Sequence, residues 1–184
     1  ERFDDLTAQR QDLAKAEEDL QTLITRLLSQ MEKQFVVEFA KMGEYFKETF
    51  ARLFGGGQAE LRLTDPEDAL NCGIEIIAQP PGKKLQLLSL LSGGERALTA
   101  IAILFAMLKL KPTPFCILDE IEAALDEANI GYFADYLSEY KKTTQFVVVT
   151  HRKGTMERCD ALYGVAMQEK GVSGMVSVNL QDYE

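Results

Sequence analysis

The stretch Leu91-Ser92-Gly93-Gly94-Glu95, followed further along the chain by Phe115-Cys116-Ile117-Leu118-Asp119-Glu120, decides the fold. The first segment is a Ser-Gly-Gly turn that opens a long apolar helix, predicted over 94–109. Its glycines let the backbone at the helix N-terminus approach an anion closely. The second segment is a hydrophobic strand that ends in two carboxylates. A helix followed by such a strand predicts an α/β fold.

The two carboxylates, Asp119 and Glu120, directly follow a strand that we expect to be buried on both faces, as central parallel strands are. The carboxyl ends of such strands are where α/β sheets bind ligands. Asp119 could hold a hydrated Mg²⁺, and Glu120 could polarise a water for attack on a γ-phosphate. Because neighbours on a strand point opposite ways, the two acids suit different roles. The alternative is a solvated turn after the strand.

Two further residues, His151 and Ser92, are candidates for contact with a phosphate. His151, the single histidine, follows a second predicted strand over 145–150, where it could contact a γ-phosphate and position the attacking water. A structural role at the strand end is the alternative. Asp126 and Ser92 each precede a predicted helix, so both are plausible N-caps. For Ser92, capping alone is the alternative to phosphate binding.

The first thirty residues carry a heptad pattern with Leu6, Leu13, Leu20 and Leu27 at one position. The pattern predicts a coiled-coil stub over 1–30 whose partner helix comes from another segment or another molecule. An amphipathic helix packed on its own domain is the alternative. A phenylalanine stripe continues the helix to the glycine triplet 55–57, which we expect to end it.

The remainder, 31–184, is predicted to be one domain with an antiparallel patch followed by alternating helices and strands. The patch comprises strands over 59–64, 74–78 and 85–88. The later elements are a strand over 114–118, a helix over 126–140, a strand over 145–150, a short helix from 153, and strands over 162–167 and 175–180 that turn at Gly171.

The composition excludes several classes of protein. The three cysteines, Cys72, Cys116 and Cys159, form no C-x-x-C pair, which argues against a zinc site and fits a reducing cytoplasm. A net charge of -9 argues against a generally basic nucleic-acid binder. Three basic pairs could form a local patch but are interpreted as solvated surface: Lys83-Lys84, Lys141-Lys142 and Arg152-Lys153.

With these motifs in place, the chain resembles the SMC (structural maintenance of chromosomes) family. The resemblance rests on segments 91–100 and 118–126 and on Thr150-His151-Arg152-Lys153-Gly154-Thr155-Met156. Segment 162–173 is similar to the bacterial condensin-type members in particular. The resemblance implies the C-terminal lobe of an ABC-type ATPase head, a parallel-core sheet flanked by helices, with an N-terminal coiled-coil stub.

The resemblance also implies roles for the site residues. Ser92, Gly93 and Gly94 match the signature motif, which contacts the γ-phosphate of ATP bound on the opposite head. The other matches are Asp119 with the Walker B magnesium residue, Glu120 with the catalytic base, Asp126 with the D-loop aspartate and His151 with the switch histidine. No Gly-x-x-x-x-Gly-Lys-Ser/Thr loop occurs in the 184 residues. In the family the N-terminal lobe of the same polypeptide supplies this Walker A loop.

The implied function is an ATPase that is active only once the N-terminal lobe completes it. ATP and Mg²⁺ bound between two heads would drive engagement, and hydrolysis would drive release, for chromosome condensation, organisation and segregation. The implied partners are the N-terminal lobe, a second head in a homodimer, the winged-helix domain of a kleisin, and DNA, in the cytoplasm at the nucleoid and without a membrane. The alternatives are an SMC-like ATPase of DNA double-strand-break repair and a nucleotide-independent, kleisin-binding scaffold lobe.

Overall fold

The computed structural model describes residues 2–179 of the chain, and of Gln168 and Asn179 it describes the backbone only. Helix α1, Arg2–Leu53, is the longest element. In the described part of the chain, no helix combines the length and the apolarity that crossing a membrane requires. The contacts divide the chain into two units, described in turn: Glu1–Lys41 with Leu63–Ile74, and Met42–Arg62 with Glu75–Glu184.

The first unit contains the heptad half of α1. Its leucines are exposed: Leu6 by 57%, Leu13 by 72%, Leu20 by 59% and Leu27 by 48%. Within the described residues no second helix covers this seam, which agrees with the expectation that its partner lies elsewhere. The coiled coil itself, and its boundary at residue 30, stay predictions.

In the second unit, the end of α1 is part of the core because its apolar stripe is buried. Phe46, Phe50 and Leu53 are fully buried, and the rings of Phe50 and Phe54 stack with centroids 4.1 Å apart. The helix ends at the glycine triplet as predicted. Gly57 has a φ of +85°, and a β-carbon there would lie 2.3 Å from the carbonyl oxygen of Gln79.

A small sheet follows in the order β1-β2-β3, in which β2 and β3 are antiparallel. Its strands, β1 (Gln58–Leu63), β2 (Ile74–Gln79) and β3 (Gln86–Leu87), confirm the three predicted strands. Short 3₁₀ turns occupy Pro66–Asp68 and Leu88–Leu90. The second turn leads directly into the Ser-Gly-Gly segment.

The centre of the second unit is a parallel pair of strands covered by two helices. Strands β4 (Phe115–Asp119) and β5 (Gln145–Val149) pair in register, with Asp119 opposite Val149. Helices α2 (Gly93–Leu110) and α3 (Glu127–Tyr140) pack their buried faces around them. The ring of Phe105 on α2 lies 6.1 Å from that of Phe133 and 6.2 Å from that of Phe146.

The prediction that these strands are buried on both faces is wrong for this chain. Leu118 is 2% exposed and faces the helices. On the opposite face the exposures are 59% for Phe115, 63% for Ile117, 47% for Val147 and 51% for Val149. The physical reason is that no segment of the described chain covers this face, so side chains of the type found in a sheet interior remain in contact with solvent.

The chain closes with helix α4 (Lys153–Met156) and the hairpin of β6 (Ala161–Glu169) and β7 (Val172–Asn179). The two strands are antiparallel and turn at Gly171, where φ is +84°. The predicted short helix and closing strands are therefore confirmed, apart from Leu180, which lies outside the described residues.

Replacing Gly57 with alanine should destabilise the second unit by more than the strain that a left-handed backbone imposes on alanine. We expect Gly57→Ala to lower the free energy of unfolding in urea by about 3 kcal/mol, because strain and the collision with Gln79 add. Gly82→Ala is the matched control. Gly82 also has a positive φ, +76°, but its β-carbon would meet nothing within 4 Å, so about 1 kcal/mol is expected. Equal losses of unfolding free energy in Gly57→Ala and Gly82→Ala would contradict the close approach of residue 57 to the Gln79 carbonyl.

Candidate functional site

The two candidate catalytic residues meet at the carboxyl edge of the parallel pair. Because β4 and β5 end side by side, Glu120 and His151 follow them on the same edge. The Oε1 atom of Glu120 lies 3.4 Å from Nδ1 of His151. Both side chains are more than half exposed. A carboxylate and an imidazole are thus held together on an open surface, an arrangement suited to positioning a water and moving its proton.

Glu120 adopts an unusual backbone conformation. Its φ is +47°, and it is the single non-glycine residue with a positive φ in the described range 2–179. Its N–H donates to the carbonyl of Val149 at 2.9 Å. Glu120 therefore lies beyond the end of β4, and the expectation that strand alternation separates it from Asp119 is wrong. A left-handed backbone costs about 1–3 kcal/mol and is concentrated at functional sites.

Asp119 is the last residue of β4 and is exposed. In the described part of the chain its carboxylate has no hydrogen-bond or ion-pair partner, and no group of three or more His, Cys, Asp or Glu side chains is placed to hold a metal. A single free carboxylate fits Mg²⁺, which keeps several waters and shares substrate phosphate oxygens instead of filling a protein cage. The donor set is therefore compatible with the predicted ion.

Ser92 caps helix α2 through a reciprocal capping box with Glu95. The Glu95 N–H donates to Ser92 Oγ at 3.4 Å, and the Ser92 N–H donates to the Glu95 carboxylate at 3.0 Å. The Ser92 hydroxyl also donates to Glu95 at 2.7 Å. Ser92 is therefore an N-cap. Its hydroxyl can donate to a phosphate only if its hydrogen bond to Glu95 breaks.

Lys83 supports this cap from the turn between β2 and β3. Its Nζ lies 2.9 Å from the Glu95 carboxylate, so this lysine does more than the solvated surface interpretation assigned to it. Burial raises the pKa of Glu95, but the hydrogen bonds from Lys83 and Ser92 outweigh it and leave that pKa below its ordinary value. Glu95 therefore stays ionised beside the helix N-terminus.

The loop after β4 leads to the N-cap residue Asp126 and approaches the start of α2 at Gly94. Asp126 is the N-cap of α3, and its Oδ1 accepts from the N–H of Asn129 at 2.9 Å, as the sequence predicts. A β-carbon on Gly94 would lie 3.2 Å from the carbonyl oxygen of Ala124. By contrast, Gly93 faces open space.

The predicted site residues form two groups. Within residues 2–179, no hydrogen bond or ion pair joins the Ser-Gly-Gly turn to Asp119, Glu120 or His151. Two residues next to the second group in sequence make contacts that the motif analysis did not predict, and for Arg152 the interpretation as solvated surface is wrong. Glu122 is 1% exposed, and Arg152 donates from Nη2 to the carbonyl of Ala123 at 2.8 Å. Sequence spacing carries no signal for a buried acid in a loop.

Comparison with known proteins shows the family of the chain. The model of the RecF/RecN/SMC N terminal domain matches residues 5–174. The chain belongs to the RecF/RecN/SMC family. Chromosome partition protein Smc of Bacillus subtilis (strain 168) is 59% identical over 182 residues, which make up 99% of this chain and 15% of that protein. The chain thus spans about 15% of the length of the curated relatives it matches.

Solved SMC heads share the fold. The Smc head domain of Pyrococcus furiosus, with an extended coiled coil and bound to the C-terminal domain of ScpA, is 40% identical with a TM-score of 0.80 over 99% of this chain and 46% of that one. An SMC ATPase studied for ATP-driven dimerization and DNA-stimulated activation is 41% identical with a TM-score of 0.76 over 83% and 92% of the two chains. The predicted family and the predicted α/β fold class are therefore confirmed: the chain matches SMC head domains, the Pyrococcus furiosus head over 46% of that chain.

The Glu95 capping box should stabilise the fold at neutral pH and lose this effect as the pH falls. A lowered folded-state pKa means that ionised Glu95 stabilises the fold above its unfolded pKa, and that this contribution is lost as the pH falls through the folded pKa. We expect Glu95→Gln to lower the free energy of unfolding in urea by about 1 kcal/mol at neutral pH, and by less on acidification. Glu44→Gln, at an exposed position of α1, is the control. A loss that grows on acidification would contradict the assignment.

Proposed function

We propose that this chain is the C-terminal half of an SMC ATPase head, which hydrolyses ATP only when completed by the N-terminal lobe of the same polypeptide. The observation that carries the proposal is the Glu120–His151 pair, with 3.4 Å between the two side chains at the carboxyl ends of a parallel strand pair. The motif that would hold the triphosphate, a Gly-x-x-x-x-Gly-Lys-Ser/Thr loop, is missing from this sequence.

The exposed face of the parallel pair supports completion by another lobe. Phe115, Ile117, Val147 and Val149 form a contiguous apolar surface on two hydrogen-bonded strands. Contiguous apolar surface of this kind marks a contact with another protein segment. A lobe that covers it would bring its Walker A loop to the sheet edge where Glu120 and His151 lie.

In the proposed reaction each group has one task. Asp119 would hold Mg²⁺, which would supply positive charge to neutralise the charge that develops on the phosphates. Glu120 would accept a hydrogen bond from the attacking water and take its proton as the oxygen approaches the γ-phosphate in line. His151 presents Nδ1 to Glu120. In the imidazolium form, in which both ring nitrogens carry a proton, Nδ1 would donate to Glu120 and Nε2 to the γ-phosphate.

The Ser-Gly-Gly turn would act on ATP bound to a second head. The Glu95 N–H is taken by the cap, but the N–H groups of Gly93 and Gly94 at the start of α2 have no intrahelical acceptor, so they can bind an anion together with the positive end of the helix dipole. Ser92 would transfer its hydroxyl hydrogen bond from Glu95 to the γ-phosphate on engagement. Asp126, in the loop that approaches Gly94, would lie at the same contact between heads.

The cellular role that follows is ATP-driven engagement and release of two heads in chromosome condensation, organisation and segregation. The proposed partners are a second copy of the head, a kleisin winged-helix domain and DNA, and the proposed location is the cytoplasm, at the nucleoid. The relatives reported above are chromosome partition proteins and ScpA-bound heads, which favours this role over double-strand-break repair. If the completed head hydrolyses no ATP, the alternative of a nucleotide-independent scaffold lobe replaces this proposal.

Glu120→Gln tests the base in the head completed with the N-terminal lobe. The amide keeps the side chain's shape but cannot accept the water's proton, so we expect kcat for ATP to fall at least about a hundredfold. ATP-bound dimers should accumulate, as measured by size-exclusion chromatography. Glu139→Gln, on the exposed side of α3, should retain normal turnover. Unchanged kcat in Glu120→Gln would remove Glu120 from the reaction.

Ser92→Arg tests whether the turn faces a second head. The bulky cation should block ATP-dependent dimerisation of the Glu120→Gln head while ATP binding to each head persists. Ser92→Ala is the matched control for the lost cap, worth about 1 kcal/mol, and Ser89→Arg places the same charge on the preceding turn. Normal dimerisation by Ser92→Arg would show that the turn lies outside the interface.

A further inference from the structure

Glu122 is a buried acid that the proposed reaction does not use. It lies in the loop between β4 and α3 and is 1% exposed. Its Oε1 accepts a hydrogen bond from Thr155 Oγ1 at 3.3 Å. Its Oε2 is buried and has no partner within the described residues. A buried carboxylate with an unmatched oxygen costs free energy, so stability alone does not account for this residue.

Thr155 is equally buried, at 1% exposed, and lies on the short helix α4. A second contact joins the same two parts of the chain, because Arg152 Nη2 donates to the carbonyl of Ala123 at 2.8 Å. Two hydrogen bonds, Thr155 to Glu122 and Arg152 to Ala123, therefore connect the loop after β4 to the segment after β5.

These connected segments carry the catalytic pair. Glu120 is held to the loop by a tight turn in which the Ala123 N–H donates to its carbonyl at 3.0 Å. On the other segment, the Arg152 N–H donates to Thr150 Oγ1 at 2.9 Å, directly across His151. Both backbones are fixed locally, so a shift of one segment against the other changes the distance between Glu120 and His151. The Glu122–Thr155 contact opposes that shift.

We propose that Glu122 and Thr155 are positioning residues that hold His151 opposite Glu120. The proposal rests on the proposed ATPase function for its effect on turnover, but the geometry it describes can be measured without turnover. Neither residue touches the reacting atoms. They act through the segment 150–156, which includes His151.

Thr155→Val is the direct test because valine keeps the shape of threonine and removes the hydroxyl donor. In the head completed with the N-terminal lobe, we expect kcat to fall roughly ten- to a hundredfold with little change in KM for ATP, as for a misplaced catalytic group. Thr155→Ser keeps the donor and should restore most of the turnover. Glu122→Gln can still accept from Thr155, so its loss should be smaller than that of Glu122→Ala.

Thr49→Val is the matched control for an effect on folding alone. Thr49 is also 1% exposed, and it also makes one buried side-chain hydrogen bond of 3.3 Å, to the hydroxyl of Tyr136. This contact joins α1 to α3, and within the described residues neither of its side chains hydrogen-bonds to the segment 150–156. Both valine variants should lose similar stability, but Thr49→Val should keep its kcat.

The positioning itself can be observed at His151 because it is the single histidine of the chain. With ¹⁵N-histidine in this chain, alone and with its unlabelled N-terminal lobe, the imidazole nitrogen resonances report on the contact with Glu120. We expect them to shift in Thr155→Val and to stay in place in Thr49→Val and Thr155→Ser. Resonances unchanged in Thr155→Val, or equal kcat losses in the two valine variants, would overturn the proposal. If the wild-type head shows no turnover, the proposed function fails, and the resonances alone decide the positioning role.

Discussion

The in-register parallel pairing of β4 with β5 is the constraint on which the rest of the site depends. It makes the two strands end side by side, so that Glu120 and His151 emerge on one edge with 3.4 Å between their side chains. The aromatic core around Phe105 fixes helix α2 on the same strands. The helix that begins with the Ser-Gly-Gly turn and the edge that carries the acids are therefore parts of one packed unit.

The second property of this unit is that it is incomplete in two respects. One face of the parallel pair presents Phe115, Ile117 and Val149 to solvent, and the sequence contains no Gly-x-x-x-x-Gly-Lys-Ser/Thr loop. One covering lobe that carries a Walker A loop, as proposed above, would fill both gaps. Within the described residues, the capped Ser-Gly-Gly turn makes no hydrogen bond or ion pair with Asp119, Glu120 or His151, which is compatible with the proposed site shared between two heads.

Much of the fold could be predicted from the sequence because apolar periodicity and glycine turns are local signals. The limits of α2, β4, α3 and β5 agree with the predictions to within one or two residues. The exposed face of β4 could not be predicted, because residue types show that a side chain is suited to burial but not what covers it. The positive φ of Glu120 and the burial of Glu122 depend on tertiary contacts in the same way.

The most direct test of the account is ATP hydrolysis by this chain as its purified N-terminal lobe is added in increasing amounts. A site divided between two lobes predicts no turnover by the chain alone and a rate that rises until one lobe is bound per chain. Turnover by the chain alone would contradict the division of the site. A stable complex of the two lobes that hydrolyses no ATP at any ratio would contradict the assignment of Glu120 and His151 to catalysis.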